Sequence, residues 1–470
     1  MTNLESGGFN LNDRSFHLIG IGGAGMSVVA ELLASRGARV SGSDQANSQL
    51  LSRLADLGVE VFVGHHEANV APEATVVVST AIRESNPELM IARQRGQEVI
   101  HRSQALALAA TGMSFIAVAG AHGKTTTSGM LSVALREAGA DPSVAVGGVI
   151  PQFGSGAHLG KGDVVVAEAD ESDGSFLNYS PSIEIVTNVE PDHLDRYASR
   201  EAFEEIFVEF ADRLVEDGLL IACGEDEGAS RLASIARARG HRVMTYGRPE
   251  HCWATPDLVV RDVEVLPDGA RAQFTWGDEK AKICLAVPGQ HNVLNAAAAW
   301  AAGIECGVDA GKMAAALSSF TGVGRRFELR GQIGSRRLFD DYAHHPTEVA
   351  AAIAQARVVA GRGSVAVVFQ PHLYSRTRIF ADRFAQALSG ADHVVVTDVY
   401  GAREDPEPGV DATLISRKIN GCLHIGDMNE AVRYAAGLVE EDGLLITMGA
   451  GSITSCGDEA LACWREQGNA

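Results

Sequence analysis

Cysteine is scarce and unpatterned in this 470-residue chain: seven residues, at 223, 252, 284, 306, 422, 456 and 463, with no Cys-x-x-Cys among them. That excludes a zinc-ribbon or thioredoxin-like framework and fits free thiols in a reducing compartment better than a disulfide scaffold. Long apolar runs are missing too; none approaches the ~20 residues that span a bilayer. The first thirteen residues are polar, without a basic start and apolar core, and are not expected to act as a signal peptide. The expectation is a cytoplasmic protein with no membrane insertion. Positive charge is in deficit: 39 Lys and Arg against 60 Asp and Glu leave a formal charge of −21. Nucleic acid needs Lys and Arg to neutralise its phosphates, so DNA and RNA are excluded as partners. A small anionic ligand must be caught by a local site.

Such a site is written at residues 114–135. A short apolar run of β type, Ser114-Phe115-Ile116-Ala117-Val118-Ala119, stops at Gly120. Ala121, His122 and Gly123 form a bend, and a helix pattern opens at Lys124-Thr125-Thr126-Thr127. Strand, glycine bend and helix make the layout of a P-loop, whose unpaired backbone N–H groups at the helix start wrap phosphate oxygens. Lys124 would reach the outer phosphates, and a threonine hydroxyl would sit on Mg²⁺. The motif is the short Gly-x-x-Gly-Lys-Thr, because Val118 stands where the longer form has glycine.

Length alone suggests about three domains. Residues 1–110 read as a small α/β domain. Within it, a strand at 16–19 leads into Gly20-Ile21-Gly22-Gly23-Ala24-Gly25, a helix pattern follows, and a second strand ends near Ser43 and Asp44. Gly20, Gly22 and Gly25 satisfy G-x-G-x-x-G with an acidic residue about twenty positions on, the dinucleotide fingerprint. What all uses of that turn share is a pyrophosphate at a helix N-terminus. A strand at 75–79 ends at Ser79, where α/β sheets place ligands.

Residues 111–322 read as a central domain around the P-loop. A buried strand at 163–168 ends in Glu168-Ala169-Asp170-Glu171-Ser172-Asp173. A carboxylate at a strand tip beside a P-loop is the position of an Mg²⁺ ligand. His193 reads equally as a loop histidine or a functional one. Asn292 and Asn295 open an Ala-rich helix, as caps or as readers of an adenine edge, since a carboxamide both donates and accepts. Residues 257–287 alternate as antiparallel strands. Residues 321–326, Gly-rich and basic, form a joint. Residues 323–470 then alternate strands and helices, a doubly wound sheet. Polar clusters stand at its successive strand ends: 340–346, 370–376, 398–404 and 449–452.

Nine motifs, in order, resemble the Mur ligases of bacterial peptidoglycan synthesis. They are residues 20–26 (GIGGAGM), 41–44 (SGSD), 120–127 (GAHGKTTT), 168–173 (EADESD), 188–195 (NVEPDHLD), 289–295 (GQHNVLN), 325–328 (RRFE), 340–346 (DDYAHHP) and 369–376 (FQPHLYSR). The chain is most like the branch that adds L-alanine. The resemblance implies three α/β domains: a Rossmann-like N-terminal one, a central P-loop one and a C-terminal one. It implies that ATP phosphorylates the lactyl carboxylate of UDP-N-acetylmuramate and that the amine of L-alanine displaces phosphate. On that reading Gly120, Ala121, His122, Gly123, Lys124, Thr125 and Thr126 hold the phosphates, with Asn292 and Asn295 at adenine, Asp341 at ribose and Arg326 at the γ-phosphate. Thr125, Glu168 and His193 serve Mg²⁺. Gly22, Gly23, Ala24, Gly25, Asp44, Ser79 and Ser172 take the UDP-sugar. Tyr342, His344 and Arg376 take the amino acid, and Lys124, His193, His344 and Arg376 are the catalytic candidates. A monomer or weak homodimer is expected.

Two positions depart from the family pattern. Ala121 replaces a usual threonine, and Leu373 stands where some members carry a second arginine. Sister enzymes hold a metal with a carbamylated lysine; no lysine occurs between Lys161 and Lys280, as in the alanine-adding branch. Other readings stay open: a tripeptide-recycling Mur ligase, an NAD-dependent Rossmann dehydrogenase that leaves the P-loop idle, and a non-catalytic nucleotide-binding module. Only the amine substrate separates the first; NAD(P)H binding without ATP hydrolysis marks the second, and absence of any amide product the third.

Overall fold

The computed structural model describes residues 11–191, 197, 199–402 and 404–468. Contacts divide the chain into two units. The first holds residues 1–261, 274–281 and 294–319, and the second 262–273, 282–293 and 320–470.

In the first unit, β1 (Ser15–Ile19), β2 (Arg39–Asp44), β3 (Glu60–Val63), β4 (Thr75–Val78) and β5 (Val99–His101) form a parallel sheet in the order β3-β2-β1-β4-β5. Phe16, His17, Leu18 and Ile19 are all buried, as a strand covered on both faces requires. The strand order turns at β1, which has β2 on one side and β4 on the other, the kind of switch point at whose strand ends parallel sheets bind ligands. Gly20, with φ +78°, turns the chain out of β1 into the helix Ala24–Ser35. Its N–H and that of Ile21 both donate to the carbonyl of Ser43, which fixes the glycine turn on the end of β2.

Behind that turn lies a buried polar network. The Glu88 carboxylate accepts from the Ser43 hydroxyl, from Asn69 Nδ2 at 2.7 Å and from the His66 N–H at 3.1 Å. His17 and His65 each stand 3.4 Å from its Oε2. Burial works to raise the Glu88 pKa, but the hydrogen bonds from His17, Ser43 and Asn69 outweigh it and bring it down to about 2. A native pKa below the unfolded value of 4.5 adds stability that is whole above pH 4.5 and lost as pH falls toward 2. Glu88→Gln is therefore expected to be less stable at pH 7, by on the order of 2–3 kcal/mol, and to decline less steeply with acid. Urea midpoints at pH 7, 4.5 and 3 measure this; parallel declines in the two proteins would contradict it.

A second sheet is built on β6 (Ser114–Ala119). With β7 (Ser143–Ile150), β8 (Ser155–His158), β9 (Val164–Glu168), β10 (Ile183–Val186), β11 (Leu219–Cys223) and β12 (Arg242–Gly247) it runs β12-β11-β10-β6-β9-β7-β8. The strands are parallel except for the β7–β8 hairpin. Three more strands, β13 (Leu258–Leu266), β14 (Gly269–Trp276) and β15 (Glu279–Leu285), bring it to ten. The helix Lys124–Glu137 follows β6 and is buried almost all round, from Thr127 to Leu135. It is therefore held by packing, since its polar first turn has no side-chain cap.

In the second unit, β16 (Glu328–Ile333), β17 (Arg336–Asp341), β18 (Val365–Phe369), β19 (His393–Val396), β20 (Leu423–His424) and β21 (Leu444–Met448) form a sheet in the order β16-β17-β21-β18-β19-β20. Only β16 is antiparallel. Along β18, Val365, Val367 and Phe369 pack under Val349, Ile353, Phe384 and Leu388 of the helices Pro346–Ala360 and Tyr374–Leu388. Ala366 and Val368 pack with Val432, Ala436 and Trp464 of Met428–Gly437 and Gly457–Gly468 on the other face. The expected doubly wound sheet is present, with the unforeseen antiparallel edge β16. All seven cysteines are unpaired. Among the described residues no helix is long and apolar enough to cross a membrane.

Candidate functional site

The phosphate-loop motif takes the form its residues dictate. Gly120 has φ +129°, and a Cβ there would lie 2.2 Å from Thr187 Oγ1. Gly123 has φ +83°, with Asn295 Oδ1 3.0 Å from where its Cβ would stand. Both positions need glycine, so the backbone N–H groups at the start of the helix stay uncovered. The half-buried residues Ala121 and His122 complete the bend. The His122 N–H donates to Asn188 Oδ1 at 2.9 Å, and its Nε2 lies 3.2 Å from Glu190. Thr126 is half-buried in the first turn.

Lys124 Nζ donates to the Gly120 carbonyl at 2.6 Å and to both oxygens of Glu171, at 2.8 and 3.0 Å. Burial works against its charge, but the carboxylates of Glu171, Asp170 and Glu168 reverse the effect, and its pKa stands above the ordinary value. Burial lifts the Glu171 carboxyl to about 7 against the pull of Lys124. The lysine is thus a cation fixed at the loop by its hydrogen bonds to the Gly120 carbonyl and the Glu171 carboxyl. Glu168, at the end of β9, accepts from Thr125 Oγ1 at 3.0 Å and from the Gly147 N–H at 2.9 Å. A hydroxyl and a carboxylate are hard oxygen donors of the kind Mg²⁺ takes, so this pair fits that ion. His193, the third expected metal residue, lies outside the described residues.

The glycine turn stands beside the same acidic strand end. Gly22 N–H donates to Asp44 Oδ2 at 2.9 Å, and a Cβ on Gly22 would meet that oxygen. Gly23 N–H closes the turn on the Gly20 carbonyl at 3.1 Å, and Ala24 opens the helix. Ser79, past the end of β4, begins a turn whose Ile82 side chain packs on Gly20. Ser172 sits in the turn that follows β9, its N–H on Asp170 Oδ1 at 3.0 Å. A cavity of about 130 Å³ is lined by Gly25, Val29, Arg102, Gly147, Glu168, Asp170 and Tyr179, among others. One space therefore borders both the glycine turn and the carboxylate beside the phosphate loop.

The second unit gathers a different set at the ends of β17 and β18. Asp341 accepts from the backbone N–H groups of Phe327 and Ala343, each at 2.7 Å. Burial lifts its carboxyl to about 6, against the pull of Arg326. Arg325 and Arg326 lie over the Tyr342 ring, at 4.7 and 5.1 Å from its centroid, and Arg326 also pairs with Glu348 at 3.3 Å. His344 Nδ1 is 3.0 Å from the Tyr342 carbonyl. A carbonyl only accepts, so Nδ1 is the donor in this contact, and the Glu348 carboxylate lies 3.2 Å from the same nitrogen. The His344 ring stands 5.3 Å from Tyr342 and 5.7 Å from His372, and His372 is 3.4 Å from the buried Arg376. Asn292, also buried, donates to the Pro288 carbonyl at 2.7 Å, as a residue shaping the start of its helix does.

Comparison with known proteins decides the family. Residues 15–113 match the model of the Mur ligase family catalytic domain, 118–303 the Mur ligase middle domain and 325–451 the Mur ligase glutamate ligase domain. A UDP-N-acetylmuramate–L-alanine ligase of Renibacterium salmoninarum is 50% identical over 456 residues, 96% of each chain. One of Kineococcus radiotolerans is 50% identical over 95% of each. The chain belongs to the Mur ligase family. A solved UDP-N-acetylmuramate-alanine ligase of Thermotoga maritima aligns with TM-score 0.76 at 28% identity, over 97% of this chain and all of that one. A murein peptide ligase of Psychrobacter arcticus, 24% identical, shares the fold with TM-score 0.66 over 96% of this chain and 98% of its own.

Two contacts of these clusters are not legible in the sequence residue by residue. Glu171 was one carboxylate in an acidic run, and only the fold brings it to Lys124 across 47 positions. His372 lies inside the FQPHLYSR motif, yet its place between His344 and Arg376 depends on how β17 and β18 are ordered. Of the two departures, Ala121 keeps its backbone in the bend. Leu373 is buried with φ +67°, its N–H on the Tyr400 carbonyl at 2.9 Å.

Proposed function

We propose that this Mur ligase joins L-alanine to the lactyl carboxylate of UDP-N-acetylmuramate at the expense of ATP. The observation that carries the reading is the cavity bordered by both Gly25 and Glu168. A nucleotide sugar whose diphosphate rests on the glycine turn would send its sugar end toward the phosphate loop. The relatives with about half their residues identical bear the name of this reaction.

In the first step a carboxylate oxygen attacks the γ-phosphorus of ATP and ADP leaves, giving an acyl phosphate. Lys124 holds the outer phosphate oxygens once they displace Glu171 from its ammonium. Backbone N–H groups of residues 120–126 take the remaining phosphate charge. Thr125 and Glu168 would hold Mg²⁺, with His193 assigned to it from the family likeness; when bound, that ion supplies charge neutralisation between two anions. Asn292 and Asn295 are assigned to adenine, Asp341 to ribose and Arg326 to the γ-phosphate.

In the second step the alanine amine, once deprotonated, attacks the acyl carbon, and inorganic phosphate leaves with the bonding electron pair. With its ring neutral, His344 accepts that amine proton at Nε2, because Nδ1 donates to the Tyr342 carbonyl. Tyr342 and Arg376 form the rest of the amine pocket, Arg376 taking the alanine carboxylate. Domain bounds at 110 and 322 remain part of this proposal.

The test is ADP release with UDP-N-acetylmuramate and a panel of amines: L-alanine, glycine, L-serine and the peptidoglycan tripeptide. Turnover that requires both the nucleotide sugar and L-alanine is expected. Turnover with the tripeptide but not with L-alanine would make the chain a recycling ligase.

A further inference from the structure

We infer that Glu404 is a positioning residue for the amine site: its carboxylate caps the helix Tyr374–Leu388 from a separate loop and thereby holds Arg376 in place. This rests on the assignment of Arg376 to the carboxylate of the amine substrate above. A helix leaves its first N–H groups without backbone acceptors, and the residue before it normally supplies one from its side chain. Leu373 holds that place here, with φ +67°, and its alkyl side chain accepts nothing. Glu404 supplies the acceptor instead. Its Oε2 accepts from the Ser375 N–H at 2.9 Å, and its Oε1 from the Ser375 hydroxyl. Ser375 is the second residue of the helix, whose N–H a cap ordinarily takes, and Arg376 is the third.

The charges fit the same reading. No acidic residue stands in the first turn, where the backbone dipole is positive and favours an anion, and Arg376 adds a cation there. Glu404 brings the missing negative charge from 29 positions away. Glu407 lies 3.0 Å from Arg378 of the same helix, so the loop after β19 meets the helix twice. That loop is itself fastened to the turn before the helix. The Tyr400 N–H donates to the Pro371 carbonyl at 2.8 Å, and the Leu373 N–H to the Tyr400 carbonyl at 2.9 Å. The Glu404 N–H returns to the Gly401 carbonyl at 2.8 Å. The Tyr400 ring stacks on His372, with centroids 5.8 Å apart, and His372 stands beside Arg376. Arg376 is buried, so its guanidinium is aimed by its backbone, and a first turn that frayed would spread that aim.

The experiment compares the full-length wild type with Glu404→Gln and Glu404→Ala by steady-state kinetics and by amide hydrogen exchange read by mass spectrometry. Glu404→Ala is expected to raise the KM for L-alanine about tenfold, with kcat changed less and the KM for ATP and for UDP-N-acetylmuramate within about twofold. Glu404→Gln keeps a carbonyl oxygen for the Ser375 N–H and should fall between the other two. Exchange in peptides spanning 374–378 should quicken in Glu404→Ala and return toward wild type in Glu404→Gln, while β18 stays protected and shows the variants folded. Faster exchange with an unchanged KM for the amine would reduce Glu404 to a cap of the helix alone and overturn the positioning role. Equal rises in the KM of all three substrates, or exchange at 374–378 indifferent to Glu404, would overturn it as well. A wild type that turns over the tripeptide and not L-alanine refutes the substrate reading separately; the KM is then read with the tripeptide, and the same outcomes decide Glu404.

Discussion

Lys124→Ala is expected to lower kcat by roughly 10²–10³-fold or more, the scale seen when one fixed donor to a developing charge is removed. It should also destabilise the fold. Glu171 is 1% exposed and takes its strongest partner from this lysine, so the variant leaves a buried carboxyl without its cation. Removing one member of a buried pair costs about 3–5 kcal/mol, less whatever Glu171 recovers by taking a proton. A carboxyl already lifted to about 7 takes that proton readily, which puts the expected loss at the low end. The double variant Lys124→Ala/Glu171→Gln separates the two roles. It should regain most of the lost stability, because no buried charge remains, and regain no activity. Thermal unfolding and steady-state kinetics on the three proteins measure this. A double variant that turns over at a rate near wild type would remove Lys124 from phosphoryl transfer.

The second large effect is expected at Glu168. Its carboxylate is the only group on which Thr125 Oγ1 and the Gly147 N–H converge among the described contacts. Glu168→Ala should raise the Mg²⁺ concentration needed for half-maximal activity roughly 10- to 100-fold, as loss of a group that holds or orients a metal does. The KM for L-alanine should stay within about twofold, since the assigned amine pocket is built from Tyr342, His344 and Arg376. Mg²⁺ and alanine titrations on wild type and variant decide the matter. Equal changes in both would show that Glu168 supports the site generally rather than the cation.

These two predictions differ in how far the sequence anticipated them. The phosphate loop was legible because its chemistry is local. An apolar strand, two glycines and a Lys-Thr pair fall within a dozen residues, and the backbone can do only one thing with them. Glu168 was legible for a related reason, since an acidic residue that ends a buried parallel strand has its side chain at the ligand edge of the sheet. Glu171 and Glu404 were not. Each acquires its meaning from a neighbour distant in sequence, Glu171 from Lys124 and Glu404 from Ser375, and no periodicity reports such a meeting.

The same limit applies to the fold. The buried strands β1, β6, β9, β10 and β18 announced themselves as continuous apolar runs. The β7–β8 hairpin and β16 did not, because they lie at sheet edges, where glycine and polar residues replace the apolar signal. The buried network around Glu88 was equally hidden. Its members His17, Ser43, His65 and Asn69 read one by one as ordinary polar residues, and only the packing of the helix Pro87–Gln94 behind β1 and β2 gathers them.

The central claim is that the carboxylate is activated as an acyl phosphate before the amine arrives. Isotope transfer tests it most directly. UDP-N-acetylmuramate carrying ¹⁸O in both oxygens of its lactyl carboxylate is turned over with ATP and L-alanine, and the products are weighed by mass spectrometry. Attack of the carboxylate on the γ-phosphorus carries one labelled oxygen into inorganic phosphate and leaves the other in the new amide, with ADP unlabelled. That distribution is predicted. Phosphate free of ¹⁸O, with the label found in AMP or lost to water, would contradict the account.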